Sequence, residues 1–475
     1  MSKAIVARNF SIQVISRILA VFVGLFSIAI LTRTLGTNAF GEYTTAITFL
    51  QLFGVIVDFG LTLTLVVMIS EEGADAEKIV GNIFGLRIIS GAILFSIAPI
   101  AVLSLPWSDA VKEAVLVGSV AYVLMGGATL LVGVFQRYHS MWRAGLAEIL
   151  NRLALLIFVA LFAWLELGVI WMVAASVIAN AIWLFSMIRL ARPFLRIRFL
   201  HDWKMWRHVW GRSWPIAISI FFNLLYLKGD ILFLAYFRDQ TEVGIYGVTY
   251  RILDMLTAFP VMFMGILLPI VVNTWSAGNH DEFRAHVSRT FDFFMIAAIP
   301  IIIGTQQIAK PLMRLIAGPG YDASGDILKL LIFAVFGVFL GALFGHLVVA
   351  LNKQKPMTWG YIGVAIVTVI GYLLFIPKFG MWGAAWMTLF SEWLIALITF
   401  LVVYKVTKVK LHFVVASKAI FASAIMYLFL RFVPSLSVLV DILIAGILYL
   451  AIMLLIKGIK MEDIRALKNA RHTLE

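Results

Sequence analysis

The sequence predicts an all-α integral membrane protein of about fourteen transmembrane helices, built as two pseudo-symmetric six-helix lobes plus two C-terminal helices. Three observations predict it. Of 475 residues, 62% are hydrophobic and only 13% are charged, and the mean hydropathy is +1.01. A soluble domain needs a polar coat that this composition cannot supply. The apolar residues lie in long unbroken runs, not in the short alternating strands of an outer-membrane barrel. Short motifs also recur in the same order in the two halves. The absence of cysteine excludes disulfides, haem-thiolate sites and CxxC metal sites.

The spans follow from runs of roughly 20 apolar residues bounded by charge or by Gly and Pro. The first six cover 9–32, 41–69, 79–103, 113–134, 146–165 and 169–190. The next six cover 213–237, 244–275, 291–316, 327–351, 357–376 and 381–404, and the last two 415–432 and 438–456. The expected organisation is a lobe over 1–190, a linker over 191–212, a second lobe over 213–404, and spans thirteen and fourteen with a tail over 405–475. No signal peptide is expected, because Met1–Phe10 runs into a long apolar stretch without a small-residue cleavage site.

The net charge of +13 raises nucleic-acid binding, but its distribution argues against that. With the N-terminus placed in the cytoplasm, about 24 Lys and Arg fall in loops on that side and about five on the other. That bias puts both termini inside and accounts for most of the charge without nucleic acid. The linker places Phe199, Trp203, Trp206 and Trp210 at helical spacing among Lys204, Arg207, His208 and Arg212. This predicts a basic helix lying in the cytoplasmic membrane interface.

The duplication rests on three matches. Gly41 and Tyr43 open span two as Gly244 and Tyr246 open span eight; Gln136–Met141 corresponds to Asn352–Met357; and Leu167-Gly168 corresponds to Phe379-Gly380. Both units start on the same side, giving parallel repeats of the kind used by rocking transporters. Gly337, Gly341 and Gly345 form a stripe for close helix approach. Pro99, Pro260, Pro269 and Pro300 lie within spans, where they bend helices or open local backbone.

Charges inside the membrane are costly and face protein or water. The first lobe carries Arg17, Asp58, Arg87, Glu148 and Arg152; the second carries Lys228, Asp230, Arg251, Asp254, Asp292 and Glu392. Arg17 and Arg87 lie about 12 Å inside the cytoplasmic ends of their helices, and Arg152 about 9 Å. Glu148 with Arg152, and Arg251 with Asp254, have the spacing of intrahelical pairs. Arg17 and Arg87 have no acid near them on their own helix, and a guanidinium fork suits phosphate or diphosphate. Arg17, Arg87, Arg152, Lys228 and Arg251 are therefore the expected substrate-binding residues. Asp58, Asp230, Asp254 and Glu392 are the expected coupling or charge-balancing acids. No metal site or cofactor is expected, and a proton or sodium gradient is the expected energy source. The chain has no GxxxxGK[ST] loop, HExxH pair or GxSxG elbow, so neither an ATP-driven pump nor those hydrolases is expected.

The chain resembles the oligosaccharide-lipid flippases of polysaccharide biosynthesis, the O-antigen transporter type, within the superfamily that includes multidrug extruders and the lipid II flippase. The resemblance rests on Leu31–Gly36 followed by Phe40-Gly41-Glu42-Tyr43, Val57-Asp58-Phe59-Gly60-Leu61, Gly229-Asp230, Val243–Tyr246, and Leu315–Gly318 with Tyr321. Ala317 stands where a bulkier residue is frequent in the family, and the acidic stretch 71–77 is unusual for it. The resemblance implies a V-shaped pair of lobes around a cationic cavity, with Arg17 as a first-span cavity arginine. It implies transport of undecaprenyl-diphosphate-linked oligosaccharide across the bacterial or archaeal inner membrane for O-antigen or other lipopolysaccharide-type surface glycans. Membrane lipids and other polysaccharide assembly proteins are the implied partners. A cation-coupled multidrug extruder and a membrane glycan polymerase or ligase are the competing expectations; the short outer loops speak against the last.

Overall fold

In a computed structural model the protein is all-helical. The structure describes residues 3–58, 60–434 and 437–459, with side chains except at 3–21, 55, 212 and 214–227. Among them run thirteen helices: α1 (Lys3–Asp58), α2 (Leu61–Ser70), α3 (Ala76–Leu103), α4 (Asp109–Arg137), α5 (Met141–Trp164), α6 (Val169–Ala191), α7 (Trp203–Phe237), α8 (Gln240–Ser276), α9 (His280–Ala317), α10 (Asp322–Ala350), α11 (Gln354–Thr407), α12 (Val414–Phe432) and α13 (Val438–Leu455). Two are hinged pairs: α1 turns at Gly36 (φ 69°, ψ −177°) and α11 at Gly380 (φ 56°, ψ −134°), a region of backbone space that favours glycine. Splitting both, and joining α2 to the second half of α1, recovers the expected fourteen-segment order.

The second segment is interrupted, although its hydropathy predicts one span. α1 stops at Asp58, Gly60 takes a left-handed conformation (φ 71°), and α2 restarts at Leu61. The prolines act otherwise: α3, α8 and α9 stay helical through Pro99, Pro260, Pro269 and Pro300. Breaks in this protein are therefore made at glycine.

Packing divides the chain into two compact units, one ending at Gly244 and the next starting at Ile245. In the first, α7 packs with the helices before it. Trp107 Nε1 donates to the Ala235 carbonyl at 2.9 Å, and Thr45 Oγ1 donates to Gln240 Oε1 at 2.7 Å. Gly41 and Gly244, the pair matched by the sequence repeat, touch each other in this unit. A Cβ on Gly41 would overlap the Gln240 carbonyl, and one on Gly244 would overlap that of Thr37, each acceptor one turn before the opposite glycine.

The linker differs from the expected interfacial helix. α6 ends at Ala191 before Pro193, residues 195–202 have no helical structure, and α7 starts at Trp203. Phe199 therefore does not share a helix face with Trp203, Trp206 and Trp210. The extended segment finds its backbone partners on α3. Leu200 N–H donates to the Gly81 carbonyl at 3.2 Å, Asp202 N–H to Asn82 Oδ1 at 2.7 Å, and Trp206 Nε1 to the Asn82 carbonyl at 2.9 Å. A Cβ on Gly81 would lie 2.7 Å from the Arg198 carbonyl oxygen, so small residues let the strap lie flat. Asp202 then caps α7 by accepting from Lys204 and Met205 N–H.

In the second unit α10 lies against α11. A Cβ on Gly337 would come within 3.1 Å of Glu392, whereas Gly341 and Gly345 have more room. Hydroxyls tie α8, α10 and α11 together: Tyr246 and Tyr250 each reach Thr388 Oγ1 at 3.3 Å, and Ser324 Oγ donates to the Ile245 carbonyl at 2.8 Å. The hairpin of α12 and α13 packs on α9, where Tyr449 donates to the Ile296 carbonyl at 2.9 Å. The α4–α5 and α10–α11 connections each hold one non-glycine residue with positive φ, His139 (51°) and Asn352 (54°). This equivalence shifts the sequence match of those loops by three residues.

Candidate functional site

The interruption in the second segment creates the charged centre of the first unit. Asp58 is the last residue of α1, and Thr62 in the first turn of α2 donates to its Oδ1 at 3.3 Å. Arg87 reaches it from α3: Nη2 lies 3.2 Å from Asp58 Oδ1, and Nε donates to the Gly126 carbonyl on α4 at 3.2 Å. Arg87 is buried at 5% exposure and Asp58 keeps 30%, so the pair is approached from the carboxylate side. Nη1 is buried and meets no hydrogen-bond acceptor among the described residues. A buried guanidinium with an unused donor is costly unless another group uses it.

Gly126 makes this geometry possible, because a Cβ there would stand 2.9 Å from Arg87 Nε. The Gly126 carbonyl also accepts from Thr129 Oγ1 at 3.0 Å. A second polar chain crosses the same unit: Asn151 on α5 donates to Asn180 on α6 at 3.0 Å, and Asn180 donates to the Ala121 carbonyl on α4 at 3.0 Å. Helix breaks that carry polar groups at membrane depth are favoured places for substrate and ion sites. The centre offers a cation, a carboxylate and helix-end backbone in one place. Such a set can hold an anion on Arg87 or a proton or cation on Asp58.

Of the expected site residues, the structure joins Arg87 and Asp58. It thereby supplies the acid partner that Arg87 lacks on its own helix. Arg17 lies on α1, but its side chain is outside the described residues. Arg152 is half-buried on α5, Lys228 is half-buried on α7, and Asp230 beside it is fully buried, with Oδ1 accepting from Ile231 N–H at 2.8 Å. In the second unit Arg251 is half-buried and Asp254 exposed on α8, while Glu392 is buried on α11. The sequence reading missed Thr62, Gly126, Asn151 and Asn180. The signals for them were the Asp58-Phe59-Gly60 stretch, the Gly126-Gly127 pair and two asparagines inside apolar spans.

Fold and centre together define a multi-pass, all-helical membrane protein of duplicated plan with an interrupted helix and a buried ion pair. The chain belongs to the polysaccharide biosynthesis protein family, which matches residues 6–275. The MatE family matches residues 215–377. Among relatives, an uncharacterized membrane protein of Methanocaldococcus jannaschii is 22% identical over 42% of this chain and 39% of its own. The "Probable flippase AglR" of Haloferax volcanii is 28% identical over 34% of each chain. The matched region thus spans well under half the length of either relative. In fold, the chain is similar to the lipid II flippase MurJ in its inward closed conformation, with a TM-score of 0.76, 14% identity, and coverage of 93% of this chain and 97% of that one. It is also similar to an inward-facing multidrug resistance MATE family transporter, with a TM-score of 0.66, 12% identity, and coverage of 81% and 94%. Identities this low establish the shared fold alone.

Proposed function

We propose that this protein is a flippase that carries polyprenyl-diphosphate-linked oligosaccharide from the cytoplasmic to the outer leaflet of the cell membrane by alternating access, for surface polysaccharide synthesis. The observation that carries the reading is the buried Arg87, whose Nη1 is unused while its other nitrogens engage Asp58 and Gly126. Family membership over residues 6–275 and the fold shared with a lipid II flippase support it. Arg17, Arg152, Lys228 and Arg251 are the further cations proposed for the cargo, and undecaprenyl diphosphate is the proposed carrier. Both termini are proposed to lie in the cytoplasm.

The geometry suggests how such a site couples to a gradient. With Asp58 ionised, Arg87 is neutralised and a diphosphate is repelled by the carboxylate in front of it. A proton or sodium ion on Asp58 weakens the pair and releases the guanidinium fork for the phosphate oxygens. Asp230, Asp254 and Glu392 are the remaining proposed acids for coupling or charge balance. The test is translocation of a defined lipid-linked oligosaccharide by the purified full-length protein in proteoliposomes, with and without a proton or sodium gradient. Gradient-dependent movement supports the reading.

A second reading, a cation-coupled multidrug extruder, is favoured by the MatE match and the fold shared with multidrug transporters. Extrusion of cationic dyes by the same proteoliposomes, with no lipid-linked sugar moved, selects this reading and rejects the first.

A further inference from the structure

Where α11 ends, α12 begins and α9 makes its first turns, the second unit forms a concave pocket of about 440 Å³ lined by Arg284, Ser288, Lys408, Lys410 and His412. None of the residues lining it is acidic. Two carboxylates lie near it on α9: Asp281 takes Arg284 Nη1 at 3.1 Å and is otherwise exposed, and the half-buried Asp292 follows Ser288 by one helical turn. The walls are braced. Arg284 Nε donates to the Thr407 carbonyl at 3.1 Å, and Ser288 Oγ donates to the Lys410 carbonyl at 3.4 Å. Lys408 closes α11 in a left-handed conformation (φ 52°, ψ 32°) with its Nζ 5.5 Å from the Tyr404 ring centroid.

An apolar groove of about 620 Å³ starts beside this pocket. Phe291 and Met295 of α9, Phe336 of α10 and Ile420 of α12 line it, and Phe413, next to His412, stands at its mouth with 64% exposure. It shares Phe333 and Trp393 with a second apolar groove of about 780 Å³. A cationic pocket leading into an apolar groove has the order of charges and hydrocarbon found in a phospholipid.

We propose that this is a binding site for an anionic glycerophospholipid of the surrounding membrane, with the phosphate in the basic pocket and an acyl chain in the groove. Charge complementarity selects the anionic class, since Lys and Arg beside a membrane attract anionic lipids and basic pockets between transmembrane helices hold their head groups. The groove selects a lipid over a free anion, because inorganic phosphate leaves that surface unused. Membrane phospholipid is the resident occupant because the site lies at the level of a loop, where one leaflet's lipids are always present. The proposal stands independently of what the protein transports.

The test is native mass spectrometry of the full-length protein equilibrated with equal amounts of phosphatidylglycerol and phosphatidylcholine. The wild type retains phosphatidylglycerol preferentially. The double variant Lys408→Gln/Lys410→Gln lowers the retained ratio roughly tenfold or more, while Lys353→Gln/Lys355→Gln, exposed lysines outside the pocket lining, leaves it unchanged. Phe413→Asp keeps every cation and gives the same loss of lipid; it is the second variant should the lysine pair compromise folding. An unchanged ratio in both variants overturns the site. An equal loss in the control overturns it in favour of diffuse charge. Displacement by millimolar inorganic phosphate overturns the lipid assignment, and stoichiometric displacement by polyprenyl phosphate makes the site a cargo site.

Discussion

The helices α3 and α9 hold the same place in the two repeats and differ in what they carry. The predicted span 79–103 on α3 has one charged residue, the buried Arg87, whereas span 291–316 on α9 has Asp292, Lys310 and Arg314, the last two in well-exposed pairs with Asp326 and Asp322 on α10. The helices before them differ in the same sense. The second segment breaks at Gly60 to present Asp58, while α8 runs unbroken from Gln240 to Ser276 across two prolines. Among the described residues, the first repeat thus carries the buried Arg87–Asp58 pair, while Lys310–Asp326 and Arg314–Asp322 in the second are more exposed. The second invested in hydroxyl contacts and apolar grooves.

The largest expected effect separates the halves by charge. Arg87→Ala leaves Asp58 without its partner and should cost about 3 kcal/mol, the low end for a buried pair because Asp58 keeps 30% exposure. Arg251→Ala on α8 should cost under about 1 kcal/mol. Thermal unfolding of the two variants in one detergent checks this, and equal losses would remove the asymmetry. Next come the glycine contacts. Gly41→Ala drives a methyl into the Gln240 carbonyl and should cost about 2–3 kcal/mol. Gly337→Ala, with 3.1 Å to its nearest neighbour, should cost about 1 kcal/mol, read as the yield and melting point of the folded protein.

The helix break gives a smaller contrast. Gly60→Ala forces alanine into a left-handed backbone and should cost about 1–2 kcal/mol. Gly265→Ala in α8 meets nothing within 4 Å and should be neutral or stabilising by up to about 1 kcal/mol. A Gly60→Ala protein with wild-type melting and transport would show that the break is incidental. A similarly small loss is expected in the strap over α3. Trp206→Phe removes the donor to the Asn82 carbonyl and should cost about 1 kcal/mol, seen as faster proteolysis of residues 195–202 before global unfolding.

Much of this plan was legible in the sequence because the bilayer forces long apolar runs, and the turns at Gly36 and Gly380 fell between predicted spans. The break at Gly60 was hidden, since a hydropathy window averages through a one-residue interruption in an apolar run. The partner of Arg87 was hidden for another reason: Asp58 is on a different helix, and spacing rules reach only one turn. The aromatic spacing of Trp203, Trp206 and Trp210 truly marked a helix, but it was the start of α7. Phe199 joined the pattern by coincidence of number, because the strap lies against Gly81 and Gly85 on α3, where a Cβ would crowd the Arg198 and Leu200 carbonyls, and no local pattern in the linker reveals that. Gly41 and Gly244 were visible as a repeat, whereas their mutual contact required the fold.

The central claim is that the Arg87–Asp58 centre recognises the diphosphate. It is tested most directly by the affinity of purified protein for a short polyprenyl diphosphate, wild type against Arg87→Ala/Asp58→Asn, which removes both charges and leaves no unpaired ion in the membrane. The account predicts a double variant that melts within a few degrees of wild type and binds at least about tenfold more weakly. A double variant that folds normally and binds the diphosphate as tightly as wild type contradicts it.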